Sequence, residues 1–196
     1  SSVCGDRFPN DPFFHAPVTQ SRCAAVCYLP HSVRHISYRV ASMSEDFHLV
    51  RVAEKLSLKR VDAADSSAVA VDFSAPALNY RVASAVKQQG LSKAVGIKGS
   101  SRPSVLDATA GFGKDAYFLA SQGCEVTMVE RDPLVFALLN DGLMRGLASP
   151  QSAVGDACRR LTLLNRDFVE LKCDTLSGLG SVDVVYLDPM FPESKK

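Results

Sequence analysis

Acidic residues at the ends of apolar runs, and a pair of glycines between two of those runs, carry the chemistry available to this sequence. The segment Asp107-Ala-Thr-Ala-Gly-Phe-Gly-Lys-Asp115 joins the run Ser104–Thr109 to a helix-forming stretch. Gly111 and Gly113 allow a sharp turn and let the backbone approach a ligand where a Cβ would collide. In an open α/β sheet, ligands sit at the carboxyl ends of the strands, over such a loop. A dinucleotide site wants a third glycine opening the helix, and here Ala116–Phe118 stands in its place. Asp107 also sits where a pyrophosphate wants no anion. Its carboxylate suits a cation, such as the sulfonium or α-ammonium of S-adenosylmethionine. A lone G-x-G is equally an ordinary tight turn, so the neighbouring strand ends decide between the two.

Glu130 closes the next apolar run, Glu125–Val129, where a carboxylate can accept both hydroxyls of a ribose. Asp167 follows a third run, Leu161–Asn165, and is placed to accept from an adenine amino group, with Phe168 beside the ring. Singly, each acid reads as a solvated loop residue. Three at successive strand ends span the two ends of one S-adenosylmethionine molecule. A fourth run, Val182–Leu187, leads into Asp188-Pro-Met-Phe-Pro192. Its prolines stiffen the loop and keep Asp188 out of a helical conformation. An exocyclic amine on a nucleobase is a poor nucleophile, because its lone pair is delocalised into the ring. The Asp188 carboxylate and the Pro189 carbonyl can hold the amine protons, while Phe191 can stack on the base for roughly 1–3 kcal/mol. Holding nucleophile, methyl and sulfur in line supplies much of the acceleration.

These residues need a scaffold that brings strand ends to one rim. Buried apolar strands at 104–109, 125–129, 161–165 and 182–187 alternate with helices over Lys114–Ser121 and Pro133–Gly146. Alternation with short loops predicts right-handed crossovers and a doubly wound α/β sheet. Ala68–Phe73 (AVAVDF) reads as a short strand, and Asn79–Val95 as a helix stopped by Gly96. The expected organisation is an irregular segment 1–42, an N-terminal α+β region 43–100 and a cofactor-binding core 101–196. Among 196 residues, 46% are hydrophobic and 22% charged, a globular balance. The net charge of +1 provides no global basic field for nucleic acid. No apolar stretch approaches the length of a membrane span. Cys23 and Cys27, near His31 and His35, have no second pair at matching spacing, so no metal is expected.

With these motifs in view, the sequence from about Phe47 to Lys196 resembles the ribosomal small-subunit methyltransferase J family. The likeness rests on KAVGIKG (93–99), LDATAGFGKDAYFLASQGCEV (106–126), VERDPLVFALLNDGL (129–143) and VVYLDPMFP (184–192). It implies a Rossmann-like methyltransferase that uses S-adenosylmethionine to make N2-methylguanosine in 16S-type rRNA. It further implies cofactor contacts at Lys114 and Asp115, Glu130 and Arg131, and Asp167 and Phe168, with Asp188 at the junction of cofactor and target base. Lys114 replaces a usual arginine, keeping the charge without the bidentate fork. The sequence ends four residues after Pro192, so a sheet cut after its fourth core strand is expected. Small-subunit rRNA is the implied partner and a monomer in the cytoplasm the implied setting. Residues 1–42 are either an extension or an organelle-targeting segment, with Arg7, Arg22, Arg34 and Arg39 facing only Asp6 and Asp11. Two rival readings remain: a non-catalytic cofactor-binding module, and an amino-methyltransferase acting on DNA adenine or protein glutamine.

Overall fold

The computed structural model describes residues 47–61, 68–83, 89–171 and 181–188. The segment 1–42, four of the cysteines (Cys4, Cys23, Cys27 and Cys173), Pro189 and Phe191 lie outside the described residues.

A four-stranded parallel sheet forms the centre, from β3 (Val105–Asp107), β4 (Val126–Glu130), β5 (Leu161–Asn165) and β6 (Val184–Tyr186), in the order β5-β4-β3-β6. The chain steps outward from β3 to β4 to β5, then returns to the other side of β3. This reversal is the topological switch of a doubly wound sheet, and its crevice opens where β3 and β6 end. Helix α3 (Lys114–Ser121) connects β3 to β4, while α4 (Pro133–Leu147) and α5 (Ser152–Arg159) connect β4 to β5. Both crossovers step the same way, so the right-handed rule puts these helices on one face. There α5 packs against both α3 and α4.

Local chemistry sets the boundaries. Asp132 caps α4, its Oδ1 accepting from the amides of Leu134 (2.8 Å) and Val135 (3.1 Å), and Pro133 occupies the first turn. Leu138 and Leu139 of α4 and Leu119 of α3 are fully buried against Val126 and Met128 of β4. Gly142 and Gly146 let α4 close on its neighbours. A Cβ at Gly142 would lie 2.6 Å from Val71 Cγ1, and one at Gly146 would overlap the Cys158 sulfur of α5. No helix among the described residues is long and apolar enough to cross a membrane. Nor do the described residues place three or more His, Cys, Asp or Glu side chains together to hold a metal.

The N-terminal region adds a hairpin that the sequence did not specify, and it departs from expectation at AVAVDF. Residues 47–60 form an antiparallel hairpin, β1 (Phe47–Val52) and β2 (Lys55–Arg60), that packs on α4. Asp141 of α4 holds it there, accepting from the Leu56 amide (3.1 Å) and pairing with Arg51 (3.3 Å) and Arg145 (2.8 Å). AVAVDF is an extended segment, not a strand: only Val69 bridges, to Leu58, while Val71 and Phe73 insert into the core and Asp72 binds Lys55. Of the helix expected over 79–95, the described residues form α1 (Pro76–Ala83), which starts three residues earlier, and α2 (Gln89–Ala94); residues 84–88 lie outside the described residues. Phe73 stacks on Tyr117 of α3 with ring centroids 4.8 Å apart, so this segment buttresses the helix behind the glycine loop.

Candidate functional site

The glycine loop is held by three hydrogen bonds to the strands on either side, β6 and β4. The Ala108 amide donates to the Tyr186 carbonyl of β6 (3.0 Å), the Ala110 amide to Val129 of β4 (3.2 Å), and the Gly111 amide to Glu130 Oε2 (3.0 Å). Gly111 and Gly113 both have positive φ, 52° and 68°, yet their surroundings differ. A Cβ on Gly111 would meet nothing closer than the Thr109 carbonyl at 3.9 Å, so this glycine faces open space at the rim. A Cβ on Gly113 would lie 2.7 Å from Leu139 Cδ1 and 3.3 Å from both Met128 Sδ and Phe73 Cζ. Gly113 is therefore a packing glycine. Gly113→Ala is expected to destabilise the chain by about 2–4 kcal/mol, from backbone strain plus overpacking. Gly111→Ala should cost about 1–2 kcal/mol from its backbone alone. Chemical denaturation of both variants checks the difference; equal losses would contradict it.

Carboxylates converge on this loop. Asp107, at the end of β3, is 2% exposed, and its Oδ1 accepts from the Thr109 amide (3.1 Å). Burial pushes its carboxyl up to about 6, and the negative charges of Asp115, Asp188 and Glu130 push it the same way. Glu130, half-buried at the end of β4, is also raised by burial, against the lowering effect of backbone hydrogen bonds from Asp132 (2.8 Å) and Gly111. Asp115 stands in the first turn of α3, where Tyr186 Oη donates to its Oδ2 (2.9 Å). Asp188 is exposed, and its amide donates to Thr109 Oγ1 (2.8 Å). The cluster thus gathers negative charge around one buried carboxyl, which disfavours a diphosphate and favours a cation.

The remaining residues lie along the same rim. Lys114 is exposed at the start of α3. Asn165, at the end of β5, donates to the Glu130 carbonyl (2.8 Å) and keeps the β4 and β5 ends together. Asp167 caps a single 3₁₀ turn, Phe168–Glu170, its Oδ1 accepting from the Val169 amide (3.0 Å); its Oδ2 lies 3.6 Å from Arg131 Nη1. Phe168 is half-buried. Sequence reasoning missed Thr109 and Tyr186, which join the glycine loop to the loop after β6. The signal for Tyr186 was alternation in VVYL, which puts Val184 and Tyr186 on one face.

Glu130, expected from the sequence to accept from a ribose, has a structural task that the sequence did not disclose, because its Oε2 pins the Gly111 amide. Glu130→Ala is expected to weaken S-adenosylhomocysteine binding by tenfold or more, about 1.4 kcal/mol. Unchanged affinity in a titration would remove the ribose assignment.

A buried carboxylate, an open Gly111 and a half-buried acid one strand away fit S-adenosylmethionine, which presents cationic centres at one end and a ribose beyond. A family model described as "Putative SAM-dependent methyltransferase" matches residues 34–196. The chain belongs to that family. The ribosomal RNA small subunit methyltransferase J of Aeromonas hydrophila is 46% identical, over 76% of this chain and 59% of its own length. The protein of the same name from Serratia proteamaculans is 44% identical, over 76% of this chain and 58% of its own. A crystal structure of a SAM-dependent methyltransferase from Neisseria gonorrhoeae superposes with a TM-score of 0.64 at 35% identity, covering 78% of this chain and 60% of that one. The chain therefore spans about three-fifths of the length of the curated relatives it matches. The family's cofactor is S-adenosylmethionine, and the parallel sheet with its switch beside Asp107 is the Rossmann-like methyltransferase arrangement.

Proposed function

We propose that the chain binds S-adenosylmethionine across the ends of β3, β4 and β5 and, as a monomer, methylates the exocyclic N2 of a guanine in small-subunit rRNA. The observation that carries this reading is the convergence of Asp115, Glu130 and Asp188 on buried Asp107 at the sheet's switch point. The names of its relatives supply the substrate class. Residues 101–196 serve as the cofactor core and 43–100 as its buttress.

Bound S-adenosylmethionine supplies an electrophilic methyl group on a sulfonium. Asp107 and Asp115 stabilise the cationic end, Gly111 gives the backbone room to approach, and Glu130 accepts from the ribose hydroxyls. Asp167 accepts from the adenine amino group with Phe168 beside the ring, while Lys114 and Arg131 flank the cofactor. Asp188 and the Pro189 carbonyl hold the protons of the target amine, and Phe191 stacks on the base.

Calorimetric titration with S-adenosylhomocysteine tests the cofactor half, with a micromolar dissociation constant expected. Incubation of small ribosomal subunits or their RNA with methyl-labelled cofactor, followed by nucleoside analysis, tests the rest. Label recovered as N2-methylguanosine is the expected result. A folded chain that binds no S-adenosylhomocysteine, or label found on another nucleoside, would overturn the corresponding half.

A further inference from the structure

Strands β3 and β6 pair in parallel with Asp107 directly opposite Tyr186. Their side chains therefore emerge on the same face, next to each other. The Tyr186 ring is half-buried and packs against the core, and its hydroxyl reaches over the end of β3 to Asp115 Oδ2 in the first turn of α3. Two further bonds lie alongside: Ala108 N–H to the Tyr186 carbonyl, and Asp188 N–H to Thr109 Oγ1. The cofactor loop and the loop carrying Asp188 are thus laced together across one strand pair. Burial and the neighbouring carboxylate raise the phenol's own ionisation, so Tyr186 remains a donor across the working pH range.

An aspartate in a cluster of like charges has reason to turn away. The buried Asp107 carboxyl and the Asp115 carboxylate repel each other, and rotation about the Asp115 Cα–Cβ bond would carry its carboxylate away. A hydrogen bond to one oxygen fixes the carboxylate plane and aims the other. Among the described residues Asp115 Oδ1 takes no hydrogen bond, so it is available to a ligand. We propose that Tyr186 is a positioning residue whose hydroxyl holds Asp115 so that Oδ1 receives the α-ammonium of the methionine moiety. The inference rests on the cofactor reading above and adds to it a residue that touches neither cofactor nor base. Because Tyr186 lies two residues before Asp188, the contact also sets the ammonium position from the strand that carries the candidate amine acceptor.

The test compares two ligands that share the adenosine end. S-adenosylhomocysteine carries the α-ammonium; 5′-methylthioadenosine lacks both ammonium and carboxylate. In Tyr186→Phe, which keeps the ring and removes the hydroxyl, S-adenosylhomocysteine is expected to bind about tenfold more weakly, or 1.4 kcal/mol. Binding of methylthioadenosine should stay within about twofold of wild type. Asp115→Asn, which keeps an acceptor for Tyr186 and removes the charge, should give the same selective loss. Undiminished S-adenosylhomocysteine binding in Tyr186→Phe would overturn the proposal, whatever Asp115→Asn does. So would an equal weakening of both ligands, which would mean that the hydroxyl supports the site as a whole. A wild-type chain that binds neither ligand would overturn the cofactor reading itself and this inference with it.

Discussion

Asp107→Asn is expected to make the cofactor-free chain more stable at pH 8 and a poorer binder of S-adenosylhomocysteine, by tenfold or more. Asp107 is 2% exposed, and its carboxyl is pushed up to about 6 by burial first and by neighbouring carboxylates second. For an acid whose folded value lies above its unfolded value, the folded state favours the protonated form. Stability is therefore fully present below about pH 4 and falls as pH rises from there to about 6, where ionisation in the folded state sets in. Two pH units correspond to about 3 kcal/mol of penalty at pH 8. Asparagine keeps an Oδ1 acceptor for the Thr109 amide and carries no charge, but its buried NH₂ group needs a partner and takes back part of the gain. A net gain of about 1–2 kcal/mol, or roughly 2–8 °C in Tm, is the expected result. The difference should shrink as pH falls through 6 and vanish below about 4.

The same charge explains why such a residue is worth its cost. A ligand cation stabilises the carboxylate and draws its proton off, so wild-type affinity should rise with pH up to about 6 and level off above. Thermal melts and titrations of wild type and Asp107→Asn at pH 5 and pH 8 read both effects. A variant no more stable than wild type at pH 8 would show that Asp107 is not a charge held in the fold at a cost.

The legible parts of the fold were those whose local chemistry agrees with their packing. Lys114–Ser121 and Leu161–Asn165 form the helix and strand that apolar patterning predicts, and α4 begins at Pro133 behind its Asp132 cap. The β1–β2 hairpin was illegible because its turn, Ala53-Glu54, has positive φ at both residues without the Asn-Gly pair that ordinarily marks one. Arg51 donates to the Glu54 carbonyl (3.0 Å) and helps hold it. AVAVDF misled because alternation of buried side chains does not require a partner strand; Val71 and Phe73 enter the core from an extended segment with one bridge. Helix α5 is a single run of eight residues containing Gly155 and Asp156, and it is sustained by packing of Val154, Ala157 and Cys158 rather than by propensity.

In the site, acids at strand ends were readable because a strand's end is fixed by its apolar run. Partners across strands were not, since the register of β3 against β6 is a tertiary fact. The Gly111–Glu130 bond and the Tyr186–Asp115 bond both belong to that class.

Asp188→Ala is expected to lower methyl transfer by about 10³-fold, about 4 kcal/mol, while cofactor affinity stays within about tenfold. The loop's placement does not depend on this side chain: the Asp188 amide donates to Thr109 Oγ1, a backbone bond that alanine preserves. Among the described residues the carboxylate itself takes no hydrogen bond, so its removal leaves no buried partner unsatisfied. Its charge does reach the cofactor end, where it helps raise Asp107, and alanine should relieve that repulsion slightly. Cofactor binding is thus pulled two ways by small amounts, whereas an acceptor aimed at the amine protons matters most as the nucleophile's lone pair develops. Asp188→Asn, which keeps one acceptor oxygen, should recover part of the rate. Single-turnover transfer to small ribosomal subunits at saturating cofactor measures the chemical step, and titration with S-adenosylhomocysteine measures binding. Parallel losses in both would move Asp188 from the base-facing side of the site to the cofactor's. Loss confined to transfer would place it where the methyl group leaves.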